Sequence, residues 1–188
     1  MTATTLAVEK TKLATPPLRV EVLGSKVLRQ PAKRVTQINQ ELRDLAVQML
    51  QTMYSREGIG LAAPQVGISK QVIVVDTEPD NPATPPLILV NPVVESQSQE
   101  LVNGEEGCLS IPGVFLPVKR PAQVTVTYKD EWGKLQRRQF TDLLARVVLH
   151  EMDHLQGVMF VDRVENTLAL ARELSKHRFS LADVRRVR

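Results

Sequence analysis

Apolar residues recur at steps of three and four along Val35–Glu57: Ile38, Leu42, Leu45, Ala46, Met49, Leu50 and Met53. That period puts them on one face of an amphipathic α-helix, with Thr36 or Asn39 as its cap and Gly58 as its stop. The next ten residues, Gly58–Gly67 (GIGLAAPQVG), hold three glycines and a proline, which predicts a loop of special backbone geometry. Gln71–Asp76 (QVIVVD) and Leu87–Asn91 (LILVN) are short β-rich runs, and the proline-laden stretch between them, Thr77–Pro86, reads as a loop. From Gln123 to Tyr128 the pattern alternates strictly. Val124, Val126 and Tyr128 fall on one face, Thr125 and Thr127 on the other, as in a half-buried strand. Asp130–Gly133 is turn material, and Lys134–Phe140 returns as the hairpin partner. Asp142–Gln156 is helical, with Thr141 as candidate N-cap and Gly157 just past its end. A last helix runs from about Asn166 to Lys176. Strands fill the middle of the chain without alternating with helices. The expected class is therefore α+β: a mostly antiparallel sheet packed around the central helix Asp142–Gln156, with N-terminal and C-terminal helices.

The 188 residues, 43% of them hydrophobic, suffice for one domain with an adequate core. We expect a flexible tail over 1–15, a single catalytic domain over 16–165, and a C-terminal helix with a basic tail over 166–188. Aromatics make up only 4%, so the core must be aliphatic. Lys and Arg number 24 against 21 Asp and Glu, a balance that does not by itself predict a nucleic-acid binder. No apolar run approaches the ~20 residues that span a bilayer. Met1–Thr15 lacks the apolar core of a secretory signal, and would be unusually short for an organellar transit peptide. Cys108 is the one cysteine, so an internal disulfide is excluded and a reducing cytosol suits the chain.

Two of the three histidines stand in His150-Glu151-Met152-Asp153-His154, an HExxH pattern. Residues four apart on a helix lie ~40° apart around the axis and ~6 Å along it, so both imidazoles can grip one ion. Leu143 and Val147 precede them on the same face and give the ligands an apolar wall. Glu151, at the edge of that face, can reach a water beside the ion without ligating it. Asp153 could orient a histidine or serve as a cap or surface charge. A third ligand is needed if one position is to stay open for water. Cys108, in Glu105-Glu106-Gly107-Cys108-Leu109-Ser110, competes for it with the downstream carboxylates Glu165 and Glu173, and spacing does not decide between them.

Three blocks stand in order: Gly58–Gly67 (GIGLAAPQVG), Glu106–Ser110 (EGCLS) and His150–His154 (HEMDH). Together they resemble the three motifs of the peptide deformylases, and the likeness extends over roughly Leu18 to Val164. One departure is Leu149, where that family commonly has Gln; it touches no ligand. The resemblance implies removal of the formyl group from formylmethionine at the start of new polypeptides, with release of formate. It implies Cys108, His150 and His154 as ligands to one divalent ion, natively Fe²⁺, with Zn²⁺, Ni²⁺ or Co²⁺ able to take the site. Glu151 would be the catalytic acid/base, with Gln65 and the Leu109 N–H facing the reacting carbonyl. Gly58, Gly60 and Gly107 would let peptide backbone approach, and Ile59, Leu143 and Val147 would line the methionine pocket. The expected partners are N-formylmethionyl peptides in a bacterial-type cytoplasm or an organelle, with no membrane. The basic residues Lys176, Arg178, Arg185, Arg186 and Arg188 form a solvated face or a contact for ribosomal RNA. The competing reading is an HExxH metallopeptidase with Glu173 as third ligand.

Overall fold

The computed structural model describes residue 6 and residues 8–187 of the chain. Helix α1 spans Gln40–Ser55 and buries Leu42, Leu45, Ala46, Met49, Leu50 and Met53, the face that the hydrophobic period marks. Its start is later than expected. Asn39, not Thr36, is the cap, its side chain accepting from the Leu42 N–H. The residues before it are held elsewhere: the Asn91 side chain accepts from Val35 N–H and donates to Val35 O, both at 2.8 Å. At the other end Glu57, rather than Gly58, takes the left-handed conformation, with φ +58°.

Gly58–Gly67 is not one loop. It contains a short strand β1 (Gly60–Ala62) and a 3₁₀ turn over Ala63–Val66. Strands β2 (Val72–Val75) and β3 (Leu87–Gln97) follow. The run expected to end at Asn91 continues through Pro92, because a register shift between Val90 and Val93, with Asn91 at φ +52°, absorbs the missing N–H. Next comes a hairpin that the hydrophobic pattern does not reveal, β4 (Leu101–Cys108) and β5 (Ile111–Pro121). Its first strand is mostly exposed and its second carries prolines and a glycine, so neither reads as a strand. Strands β6 (Gln123–Lys129) and β7 (Leu135–Thr141) form the expected second hairpin.

All pairs among these strands are antiparallel. Strands β1, β2, β3, β6 and β7 make one sheet in the order β1-β2-β3-β6-β7, and β4-β5 a separate sheet of two. Helix α2 (Asp142–Leu155) touches β1, β2, β6 and β7 of the larger sheet and β5 of the smaller. Thr141 precedes it with extended backbone, but its side chain makes no capping bond. Helix α3 (Thr167–Lys176) is capped by Asn166, which accepts from Ala169 N–H at 3.0 Å, and it buries Leu170 and Leu174 beside β5 and Phe160.

Both ends of the described chain return to this body. Lys10 pairs with the buried Asp76 at 2.6 Å, and Leu13 N–H donates to Ser55 Oγ at 3.0 Å. Beyond α3, Arg185 N–H donates to Asp162 Oδ1 at 2.7 Å and Arg186 to Thr167 Oγ1 at 2.5 Å. Of the segments read as tails, residues 1–5 and 7 and Arg188 lie outside the described residues.

Candidate metal centre

Helix α2 presents His150, Glu151 and His154 toward β1 and the β4–β5 hairpin, all three buried. The end of β4 delivers Cys108 from the other side. Cys108 Sγ lies 3.4 Å from His154 Nε2, and one ligand atom from each of Cys108, His150 and His154 lies within 4.8 Å of the others. Bonds of ~2.3 Å to sulfur and ~2.1 Å to nitrogen at a tetrahedral angle put those two atoms ~3.6 Å apart, so the spacing fits one shared ion. Among the described residues these are the side chains that gather so. Glu173 instead contacts Lys176 at the end of α3 and His177 just beyond it, and Glu165 pairs with Lys119, so neither rival third ligand joins the cluster.

Burial disfavours a charged His150, yet its pKa stands well above the ordinary value because Cys108, Glu106 and Glu151 face it. His154 is pushed well below the ordinary value by burial and by His150. The shifts are opposite in sign: the acceptors around His150 favour its protonated form, whereas His154 is held neutral, with a lone pair free on its ring. The chemistry of the donors, one thiol and two imidazoles, suits Fe²⁺ or Zn²⁺.

Glu106 is the residue that sequence reasoning passed over. Its Oε2 meets His150 Nδ1 at 2.9 Å, which leaves the Nε2 of that ring for the cluster. Arg120 donates to both Glu106 oxygens, from Nε at 2.8 Å and from Nη2 at 2.9 Å, and Arg146 donates to Oε1 at 2.8 Å. Burial alone would raise the Glu106 pKa, but Arg120 and His150 hold it far below the usual carboxylate range. Arg120 also reaches Asp153, which Arg163 grips as well. Asp153 thus orients no histidine and braces arginines instead. A strand reading of Leu101–Cys108 would have put Glu106 and Cys108 on one face, two residues apart. Nothing local marks Arg120.

Glu151 is 4% exposed, and its Oε2 has no hydrogen-bond partner among the described residues. Burial pushes its pKa up to about 7, the range of a general base at neutral pH. Gly60 is what lets the carboxylate in: a Cβ there would overlap Glu151 Oε1 and approach Val147 Cγ1 to 2.8 Å. Gln65, 1% exposed, is fixed by its own turn, its Oε1 accepting from Ala62 N–H at 2.7 Å. Its Nε2 donates to Cys108 Sγ at 3.3 Å and to Ser110 Oγ at 3.2 Å.

Above these groups opens a cleft of about 890 Å³. Cys108, His150, Glu151, Gln65 and Leu109 lie in its wall, as do Ile59, Gly60, Gly107 and Val147. Leu143 stands at the mouth, half exposed, rather than in a sealed pocket. Gly107 faces the ring of Phe115, which occupies the space a side chain would need. His154 is not part of the cleft wall and is 1% exposed.

The family model of polypeptide deformylase matches residues 17–169. Peptide deformylase 1 of Nostoc sp. is 62% identical over 182 residues, covering 97% of each chain. The peptide deformylase of Synechocystis sp. is 59% identical over 187 residues and covers 100% of both. A crystal structure of a peptide deformylase from Synechococcus elongatus in complex with actinonin superposes with a TM-score of 0.96 at 57% identity, covering 98% of this chain and 100% of that one. With a motif-bearing match over most of its length and identities near 60% from end to end, the chain belongs to the peptide deformylase family.

Proposed function

We propose that this protein hydrolyses the formyl amide of N-formylmethionyl peptides, releasing formate and a free amino terminus, in a bacterial-type cytoplasm. The observation that carries the reading is the meeting of Cys108, His150 and His154 beside the buried Glu151 on the wall of an open cleft. Cys108, His150 and His154 would hold the divalent ion, Fe²⁺ by preference, which supplies Lewis acidity and lowers the pKa of an attacking water. Glu151 takes the proton of that water and passes it to the departing amine nitrogen, so that its carboxyl ends each cycle as it began. Negative charge grows on the formyl oxygen. The Leu109 N–H and the Gln65 amide face it, Gln65 exchanging its bond to Cys108 Sγ for the oxygen, since both its N–H groups are engaged beforehand. Val147 and Ile59 offer the methionine side chain an apolar wall, whose burial contributes ~1.5–3 kcal/mol, and Leu143 covers its outer end. The basic residues at the end of α3 and beyond it remain a proposed contact for ribosomal RNA, testable by the salt dependence of ribosome binding in a variant with Lys176, Arg178, Arg185 and Arg186 neutralised. Among the described residues no helix is long and apolar enough to cross a membrane.

The deciding experiment is formate release from a formyl-Met peptide by protein purified without oxygen, with metal analysis of the same sample. We expect formate in step with bound metal. Fully metal-loaded protein that releases none would refute the reading.

A further inference from the structure

The proposed ligands come from two separately hydrogen-bonded parts. Cys108 ends β4, in the two-stranded sheet, whereas His150 and His154 ride on α2 against the five-stranded sheet. The reach from sulfur to imidazoles therefore depends on how the hairpin docks on α2. Arg146 lies on α2 one turn before His150, and its guanidinium spans that joint. Nη2 donates to Val102 O at 2.6 Å, and Nη1 to Gly104 O at 3.3 Å, both on β4. Nη1 also donates to Val118 O of β5 and to Glu106 Oε1, each at 2.8 Å. One group thus grips both strands of the hairpin and the carboxylate that fixes His150.

Two features separate this from an ordinary surface ion pair. The Arg146 side chain is only 12% exposed, although it lies in the cleft wall, and its Nη atoms are already committed to the hairpin. The hairpin in turn makes room for it, since a Cβ at Gly104 would come within 2.8–2.9 Å of the guanidinium. The planar fork places its second nitrogen on Val102 O, further along β4, while the first serves Gly104, Glu106 and Val118; a lysine ammonium is a point charge with shorter lateral reach.

We propose that Arg146 is a positioning residue of the metal centre, setting the approach of Cys108 to His150 and His154 by fastening the β4–β5 hairpin to α2. The inference rests on the metal-hydrolase reading above. Its test uses the full chain loaded with Co²⁺ and reads the thiolate-to-cobalt absorption band and the Co²⁺ affinity by competition against a chelator. Arg146→Met should shift the band and weaken Co²⁺ binding by up to ~10-fold, the low end of the range for residues that touch a metal ligand directly, since Arg146 acts through Glu106 and the hairpin. Arg146→Lys should recover part of that loss. Gly104→Ala, which perturbs the same joint from the hairpin side, should shift the band in the same direction. Combined with Arg146→Met it should add nothing further. Binding within twofold of the parent in Arg146→Met overturns the proposal, and so do additive effects of the two substitutions. Should Arg146→Met fail to fold, Gly104→Ala and Arg146→Lys decide, and parental band and affinity in both overturn it. A parent protein with no thiolate band would instead sink the metal reading itself.

Discussion

Glu106→Gln tests the electrostatic frame of the site most directly. The carboxylate is 5% exposed and meets Arg120 Nε and Nη2, Arg146 Nη1 and His150 Nδ1, all within 2.9 Å. An amide of the same shape keeps one acceptor oxygen and turns an NH₂ toward a cation or toward the histidine. Removing one partner from a buried charge cluster costs ~3–5 kcal/mol. Arg120 keeps Asp153 and Arg146 keeps three carbonyls, so the low end applies, a loss of ~3 kcal/mol of unfolding free energy. In a chain of this size ~1 kcal/mol moves Tm by ~2–4 °C, so Tm should fall by ~6–12 °C. His150 also loses the acceptor that orients its ring, and metal affinity should drop 10–100-fold. Urea denaturation of the metal-free protein measures the first effect, and Zn²⁺ competition against a chromophoric chelator the second. If stability changes by less than ~1 kcal/mol while metal affinity stays within twofold, Glu106 is not what holds the cluster together.

Glu151→Gln should keep its metal and lose turnover by roughly 10²–10⁴, the usual size of a general acid–base contribution, and full formate release by this variant would disprove the proton-transfer role. Cys108→Ala should lose metal while Glu173→Ala keeps it; the opposite pair of results in a metal assay would favour the metallopeptidase alternative. Burial first, and then the hydrogen bond to Asp76, raise the Tyr54 pKa well above its ordinary value. The neutral phenol is the form the fold favours, so its contribution to stability is complete below pH ~10 and is lost as pH rises beyond it. Tyr54→Phe should flatten that alkaline limb of a Tm-against-pH curve, and an unchanged limb would refute the assignment. Lys10→Met leaves the 3%-exposed Asp76 to Tyr54 and the Glu78 N–H alone, and should cost ~3 kcal/mol in urea denaturation if residues 8–15 belong to the fold.

Much of this protein was decided by local pattern. The buried face of α1 follows from apolar spacing alone, and the β6–β7 hairpin from strict alternation across a turn. The pair His150 and His154 shares a helix face because four residues make about one turn, whatever the rest of the fold does. The ordered motifs carried the family, and through that resemblance the proposed ligand set, Cys108 included. What the sequence left open was whatever depends on segments distant in the chain. The competition between Cys108 and Glu173 for the third position is a question of which strand or helix lands beside α2, and no spacing encodes that. Glu106, Arg120 and Arg146 each look like ordinary surface charges in their own segments. They become a buried network only when the hairpin docks on α2, where removal from water makes every unpaired charge costly and so fixes who must meet whom. Periodicity specifies which face of an element is apolar, because that depends on backbone geometry within a few residues. Which charged side chains meet in the interior depends on how the elements pack, and only the tertiary structure decides it.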